Sequence, residues 1–132
     1  MQVTVAELDA AVITPLMERI GLRSRPAIVG DHRPPGGSDD PDDWRKLYFD
    51  TEDRSVHVHV REAGRANQRY PILFRDHLRT HPQTAEAYGQ LKRRLAELCE
   101  DTGVYADTKD PVCDIILQAA EEWASRTGWR LD

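Results

Sequence analysis

The tightest constraint on this chain is an alternation. Between Ser55 and Glu62, Val56, Val58 and Val60 fall at every second position with His57, His59 and Arg61 between them. An extended backbone sends the valines to one face and the polar groups to the other. Residues 44–50 alternate in the same way, and Thr51-Glu52-Asp53-Arg54 supplies a turn between the two runs. The spacing predicts an antiparallel hairpin in the middle of a sheet. Its valine face needs an apolar cover, and helices are predicted to supply it. Three downstream segments have helical periodicity. The first carries Tyr70, Leu73, Phe74, His77 and Leu78 on one stripe. The second starts near Pro82 and carries Tyr88, Leu91, Leu95 and Leu98. The third starts at Asp110-Pro111, carries Val112, Ile115, Ile116, Ala119 and Trp123, and ends at Gly128, a suitable C-terminal cap.

Upstream of the hairpin, Gln2-Val3-Thr4 is predicted to end a strand. Thr4 and Glu7 make a T-x-x-E capping box for a helix whose face is Val5, Leu8, Val12, Leu16 and Ile20. Pro15 should kink or split that helix, and Gly21 should close it. Pro26-Ala27-Ile28-Val29 is a short strand candidate. Residues 30–43, rich in proline, glycine and aspartate, read as a solvated loop or a mobile flap without packing of their own. The fold class that follows is α+β, a small, mainly antiparallel sheet covered by helices.

At 132 residues the chain is long enough for one core, so residues 1–132 read as a single domain. A net charge of −5 disfavours a nucleic-acid partner, which needs a clustered basic surface. No apolar run approaches the roughly 20 residues of a membrane span, and the N-terminus lacks a basic region followed by an apolar stretch, so a cytoplasmic location is expected and no membrane partner. Cys99 and Cys113 lie at helical apolar positions without the short spacing of a metal site, and buried reduced thiols are the expectation.

Several motifs in fixed order resemble one family. They are Asp42-Asp43-Trp44-Arg45-Lys46, Leu73-Phe74-Arg75-Asp76-His77-Leu78-Arg79, Leu91-Lys92-Arg93, Tyr105-Ala106-Asp107-Thr108-Lys109-Asp110-Pro111, and the run from Trp123 to Arg130. Together, from Gln2 to Trp129, they resemble the GrpB family, and most closely the GrpB-like domain that follows the kinase in actinobacterial dephospho-CoA kinases. The resemblance implies a nucleotidyltransferase-like fold and a folding or regulatory role beside a kinase. It also implies that a Gly-Ser loop and an Asp-bearing strand come before the segment that begins at Met1, so the fold is expected in truncated form. A sheet edge near Gln2 to Val5 is then expected to pair in a homodimer or with a protein partner.

Nucleotidyl transfer needs carboxylates converging on Mg²⁺ and a loop that grips phosphates. Neither is evident here, and no cofactor and no bound metal are expected. His57 and His59 are the candidate catalytic pair. As alternate strand residues they project from one face about 6.5 Å apart. They can line a pocket and bind or protonate a small anionic ligand, or hydrogen-bond to neighbouring elements, or hold a metal if His32, His77, His81 or Asp50 joins them. Candidate ligand-binding residues are Arg45, Arg75, Arg79, Tyr105 and Lys109. Arg75 and Arg79 repel unless something anionic lies between them, either a ligand or a carboxylate from the sheet, since Asp76 is not expected to bridge both. Lys109 can reach a phosphate at the N-terminus of a helix starting at Asp110. Two functional classes follow: a ligand-binding or protein-assisting module, and a small metabolic enzyme using His57, His59 and Arg75 as an acid/base site.

Overall fold

The computed structural model describes Met1 to Leu131. The elements run β1 (Gln2–Val5), α1 (Ala10–Arg19), β2 (Arg23–Ser24), a 3-10 turn (Pro41–Trp44), β3 (Leu47–Asp50), β4 (His57–Glu62), α2 (Ala66–Thr80), α3 (Pro82–Leu98) and α4 (Thr102–Thr127). The class is α+β. The strands form one four-stranded sheet in the order β1-β4-β3-β2. β1 pairs with β4 in parallel, and the other two pairings are antiparallel. The predicted hairpin therefore holds the middle of the sheet, with Phe49 opposite Val58 and Asp50 opposite His57. The chain divides into two compact units, Met1–Arg69 and the part from Tyr70 on.

In the first unit Phe49, Val58 and Val60 form the buried core, each at most 2% exposed. Burying such side chains contributes roughly 1.5–3 kcal/mol apiece. Val3, Val5, Leu8, Ile13, Met17, Leu22 and Leu47 pack against them, so the apolar cover of these valines is α1 with its flanking segments. This corrects the predicted face of the first helix. Ile13 and Met17 face the sheet, while Val12, Leu16 and Ile20 are more than half exposed. The cap is corrected too. Thr4 lies inside β1, and Asp9 caps α1 by accepting from the amides of Ala11 and Val12. Pro15 sits inside one continuous helix and does not split it; the chain then turns at Ile20 and Gly21. Val56, expected in the core, is 37% exposed, because β4 begins one residue later.

Residues 26–29 form no strand: Ile28 closes a turn onto the carbonyl of Arg25, and both Ile28 and Val29 are exposed. The long loop does pack, contrary to what its composition suggests. The Trp44 ring is buried and its indole N–H donates to the carbonyl of Ser38 at 2.9 Å. A Cβ on Gly37 would come within 2.8 Å of that ring, so only glycine fits. Gly30 bridges to Arg45, and the amide of Asp31 donates to the carbonyl of Trp44, which fixes the start of the loop against the strand that follows.

In the second unit Leu73, Leu117, Ala120 and Ala124 form the core, with Tyr70, Trp123 and Trp129 against it. The predicted periodicity of α4 is displaced by one position. Cys113, Ile116 and Leu117 are buried while Ile115 is 68% exposed. Leu98, predicted on the apolar face of α3, is 80% exposed at the helix end. α4 does not start at Asp110-Pro111. Asp101 caps it by accepting from the amides of Gly103 and Val104, and Pro111 lies inside the helix. Gly128 adopts the left-handed conformation at φ 69° and terminates α4 as predicted. Cys99 and Cys113 are free thiols, the second buried. Among the described residues no helix is long and apolar enough to cross a membrane.

Candidate functional site

The face of the sheet opposite the valines carries a continuous polar array, and the hairpin register builds it. Tyr48 lies opposite His59 and Asp50 opposite His57. Lys46 precedes β3, and Arg61 shares the histidine side of β4. At one end Asp31 holds two cations. Arg61 donates to it from Nε at 2.8 Å and from Nη2 at 2.9 Å, and Lys46 donates from Nζ at 2.7 Å. Asn67, on the first turn of α2, donates to the same carboxylate at 3.1 Å and to the carbonyl of Arg45 at 2.7 Å. Gln2 accepts from Arg61 Nη1 at 2.8 Å, which ties β1 into the group. Burial pushes the Asp31 carboxyl up, but the hydrogen bond and charge of Arg61, with Lys46, outweigh it and hold the group below its ordinary value. At the other end Asp50, buried, accepts from Arg25 Nε at 2.8 Å and Arg23 Nε at 3.3 Å.

Between these two clusters lie Tyr48, His57 and His59. The Tyr48 hydroxyl meets Nδ1 of exposed His57, with the two rings stacked. His59 meets the Tyr48 ring edge-on at 5.0 Å, and its Nδ1 lies 3.4 Å from Nη2 of Arg61. Burial and the charges of Lys46 and Arg61 lower the His59 pKa to about 3. The ring is therefore neutral at physiological pH and serves as a hydrogen-bonding group. Burial and the nearby Asp50 raise the Tyr48 pKa, so its phenol keeps its proton.

The remaining candidates are distributed as follows. Arg45 is exposed and pairs with Asp42 at 3.1 Å, while its carbonyl serves Asn67. Arg75 and Arg79 belong to the second unit, and there Asp76 does bridge both, which corrects the expectation. Its Oδ1 lies 2.8 Å from Arg75 Nε and 3.5 Å from Arg79 Nη1, because one helical turn brings both guanidiniums beside the intervening carboxylate. Trp129 donates to the other oxygen of Asp76 at 3.2 Å. Tyr105 and Lys109 lie within α4 and not in a turn before it, so the helix N-terminus offered to a phosphate beside Lys109 is not there. Lys109 Nζ instead lies 3.7 Å from Asp110 and 3.5 Å from Cys113 Sγ. His77 and His81 stack with centroids 3.9 Å apart. Among the described residues no three His, Cys, Asp or Glu side chains are placed to hold a metal ion.

Asp31, Lys46, Tyr48 and Asn67 belong to the site although none of them is among the candidate site residues of the sequence. The alternation of the first strand carries Lys46 and Tyr48 onto the histidine face, so for these two a signal exists. Nothing local marks Asp31 or Asn67, whose partners are 15 to 36 positions away.

Comparison with known proteins places this architecture. The family model described as GrpB protein matches residues 1–119, and the chain belongs to the GrpB family. A dephospho-CoA kinase of Mycobacterium leprae is 40% identical over 97 residues, which cover 71% of this chain and 24% of that protein. A UPF0157 protein of Deinococcus radiodurans is 41% identical over 73 residues, 55% of this chain and 39% of the relative. The chain spans between about a fifth and two-fifths of the length of the curated relatives it matches. The crystal structure of conserved protein GrpB from Enterococcus faecalis superposes with a TM-score of 0.65 at 24% identity, covering 92% of this chain and 69% of that one, a likeness of fold.

Proposed function

We propose that this GrpB domain is a ligand-binding or protein-assisting module whose ligand is a small anion held on the polar face of the sheet. One observation carries the reading. That face bears Arg23, Arg25, Lys46 and Arg61 against the two carboxylates Asp31 and Asp50, an excess of positive charge in a chain of net charge −5. A cationic surface in an acidic protein concentrates anions there. The reading of a small acid/base enzyme fits less well, because a His59 that stays neutral down to about pH 3 is no imidazolium near neutrality and cannot serve as a general acid there. The likeness to dephospho-CoA kinases supports a protein-assisting role beside such a kinase. A cytoplasmic, nucleotidyltransferase-like domain, paired with a second copy or a partner at the β1 edge, belongs to the same proposal; light scattering across micromolar concentrations tests the pairing.

The direct test is a thermal scan of wild type and His57→Ala/His59→Ala with phosphate, nucleotides and small carboxylates. A ligand at a hundred times its dissociation constant adds about 2.7 kcal/mol. At least one anion should stabilise wild type and lose most of that effect in the double variant. Equal shifts in both proteins, or none with any anion, would remove this site.

A further inference from the structure

We infer that Tyr48 and Arg61 set the tautomers of His57 and His59, so that both imidazoles present an Nε2–H and act together as donors to an oxyanion. The inference rests on the reading of this face as an anion site and names the groups that would contact the ligand.

A neutral imidazole has one donor nitrogen and one acceptor nitrogen, and the partner of one decides the role of the other. Around His59 the choice is forced. Its Nδ1 lies 3.4 Å from Nη2 of Arg61, and a guanidinium can only donate. The carboxylate that could instead accept a proton from this nitrogen, Asp31, is 3.9 Å away, beyond hydrogen-bond reach, and is already engaged by Arg61, Lys46 and Asn67. Nδ1 of His59 is thus the acceptor and the ring proton sits on Nε2.

Around His57 the partner is the Tyr48 hydroxyl, which can donate or accept. A phenol gives up its proton more readily than a neutral imidazole N–H, and an imidazole lone pair accepts better than a phenol oxygen, so the bond runs from Tyr48 to Nδ1. The raised pKa of Tyr48 keeps that proton in place. His57 is then also an Nε2–H tautomer, held by a neighbour on the adjacent strand. β4 sets the two residues on one face, and the rise of an extended strand spaces them about 6.5 Å apart along the backbone. Two donors at that spacing suit different oxygens of a phosphate monoester or of a carboxylate with a neighbouring hydroxyl. The same tautomers oppose a metal, which requires the lone pair at Nε2. Tyr48 is a positioning residue in this arrangement, as is Arg61.

The experiment is a long-range ¹⁵N–¹H correlation spectrum of the imidazoles at neutral pH in wild type and Tyr48→Phe, each titrated with inorganic phosphate. Wild type should show both rings protonated at Nε2 and bare at Nδ1. Tyr48→Phe keeps the ring and loses the hydroxyl; His57 should become a mixture of tautomers while His59 stays as it was. Phosphate should move the Nε2–H signals of both rings in wild type, with affinity about two- to tenfold weaker in Tyr48→Phe, the loss expected for one hydrogen bond. A wild-type His57 protonated at Nδ1, or one indifferent to Tyr48→Phe, overturns the inference even if phosphate binds elsewhere on the face. Tautomers as assigned with no response to phosphate at either ring overturn the donor role, whereas the anion reading of the face stands or falls with the thermal scan.

Discussion

A carboxylate between two cations recurs in both units, and one such triad from each can be set side by side. In the first, Asp31 lies between Lys46 and Arg61, whose side chains are 8% and 9% exposed. In the second, Asp76 lies between Arg75 and Arg79, which are 52% and 68% exposed. The stoichiometry is the same and the physics is not. Removing an ion from water costs several kcal/mol, so the first triad stands only because Asn67 and Gln2 complete its hydrogen bonds. The second triad remains hydrated and screened. A polar group that costs much to bury and is buried nonetheless is a better pointer to built chemistry than a pair of arginines at helical spacing. That difference is why the candidate site lies on the sheet face.

The most severe way to break the comparison is to remove the platform beneath the first triad. Val58 is 2% exposed in the core of β4, and Val58→Asp would place an uncompensated carboxyl there. The cost should exceed about 4 kcal/mol, enough to unfold a marginal domain. A Val58→Asp protein that keeps its strand signal in circular dichroism would contradict the register. Next comes Asp31→Ala, which leaves Lys46 and Arg61 buried without a counterion. A loss of about 3–5 kcal/mol in urea melts is expected, against nearly nothing for Asp31 if the triad is merely decorative.

How much of this is legible in the sequence follows from how local each signal is. The hairpin and its histidine face come from period-two alternation, which is read off neighbouring residues and matches the structure over Leu47–Asp50 and His57–Glu62, whereas Trp44 lies in a 3-10 turn and Ser55 and Val56 precede the strand. The face of α1 is misread from periodicity because apolar residues sit on two sides of it: Val12, Leu16 and Ile20 follow the helical spacing as well as Ile13 and Met17, and only contact with the sheet selects the second set. Pro111 reads as a helix start because proline is favoured there, yet the Asp101 cap begins α4 earlier. Asp31 is illegible for a different reason. Its role depends on Arg61, 30 positions away, and on a loop whose composition suggests solvent.

Acid offers a smaller and graded contrast. His59 in the first unit and His77 in the second are both held below their ordinary pKa, His59 by burial with Lys46 and Arg61, and His77 by burial and its stacked neighbour His81. In each case the unfolded chain binds the proton more readily, so the stability these rings confer is complete above about pH 6.5 and declines as pH falls. For His59 the decline continues toward about pH 3, the value to which its pKa is lowered. Urea midpoints taken from pH 7 to pH 4 should therefore fall in wild type and fall less in His59→Gln. An unchanged slope in that variant would mean that the folded and unfolded chains protonate His59 alike.

The smallest effect is expected at the exposed triad, and it sharpens the comparison because it should be close to nothing. Arg79 lies 3.5 Å from Asp76 with two-thirds of its side chain in solvent, while Arg75 and Trp129 contact the same carboxylate. Losing Arg79 leaves Asp76 with both of those partners, so no unpaired buried charge is created. Exposed pairs of this kind are worth about 0.2–1 kcal/mol, less at high salt. Arg79→Ala should lie at the low end of that range, and raising the salt should erase the difference from wild type. It should also leave phosphate affinity unchanged, since the proposed anion site draws on Tyr48, His57 and His59. A loss near that of Asp31→Ala, or a drop in phosphate affinity, would mean that the helical triad is as costly to disturb as the buried one.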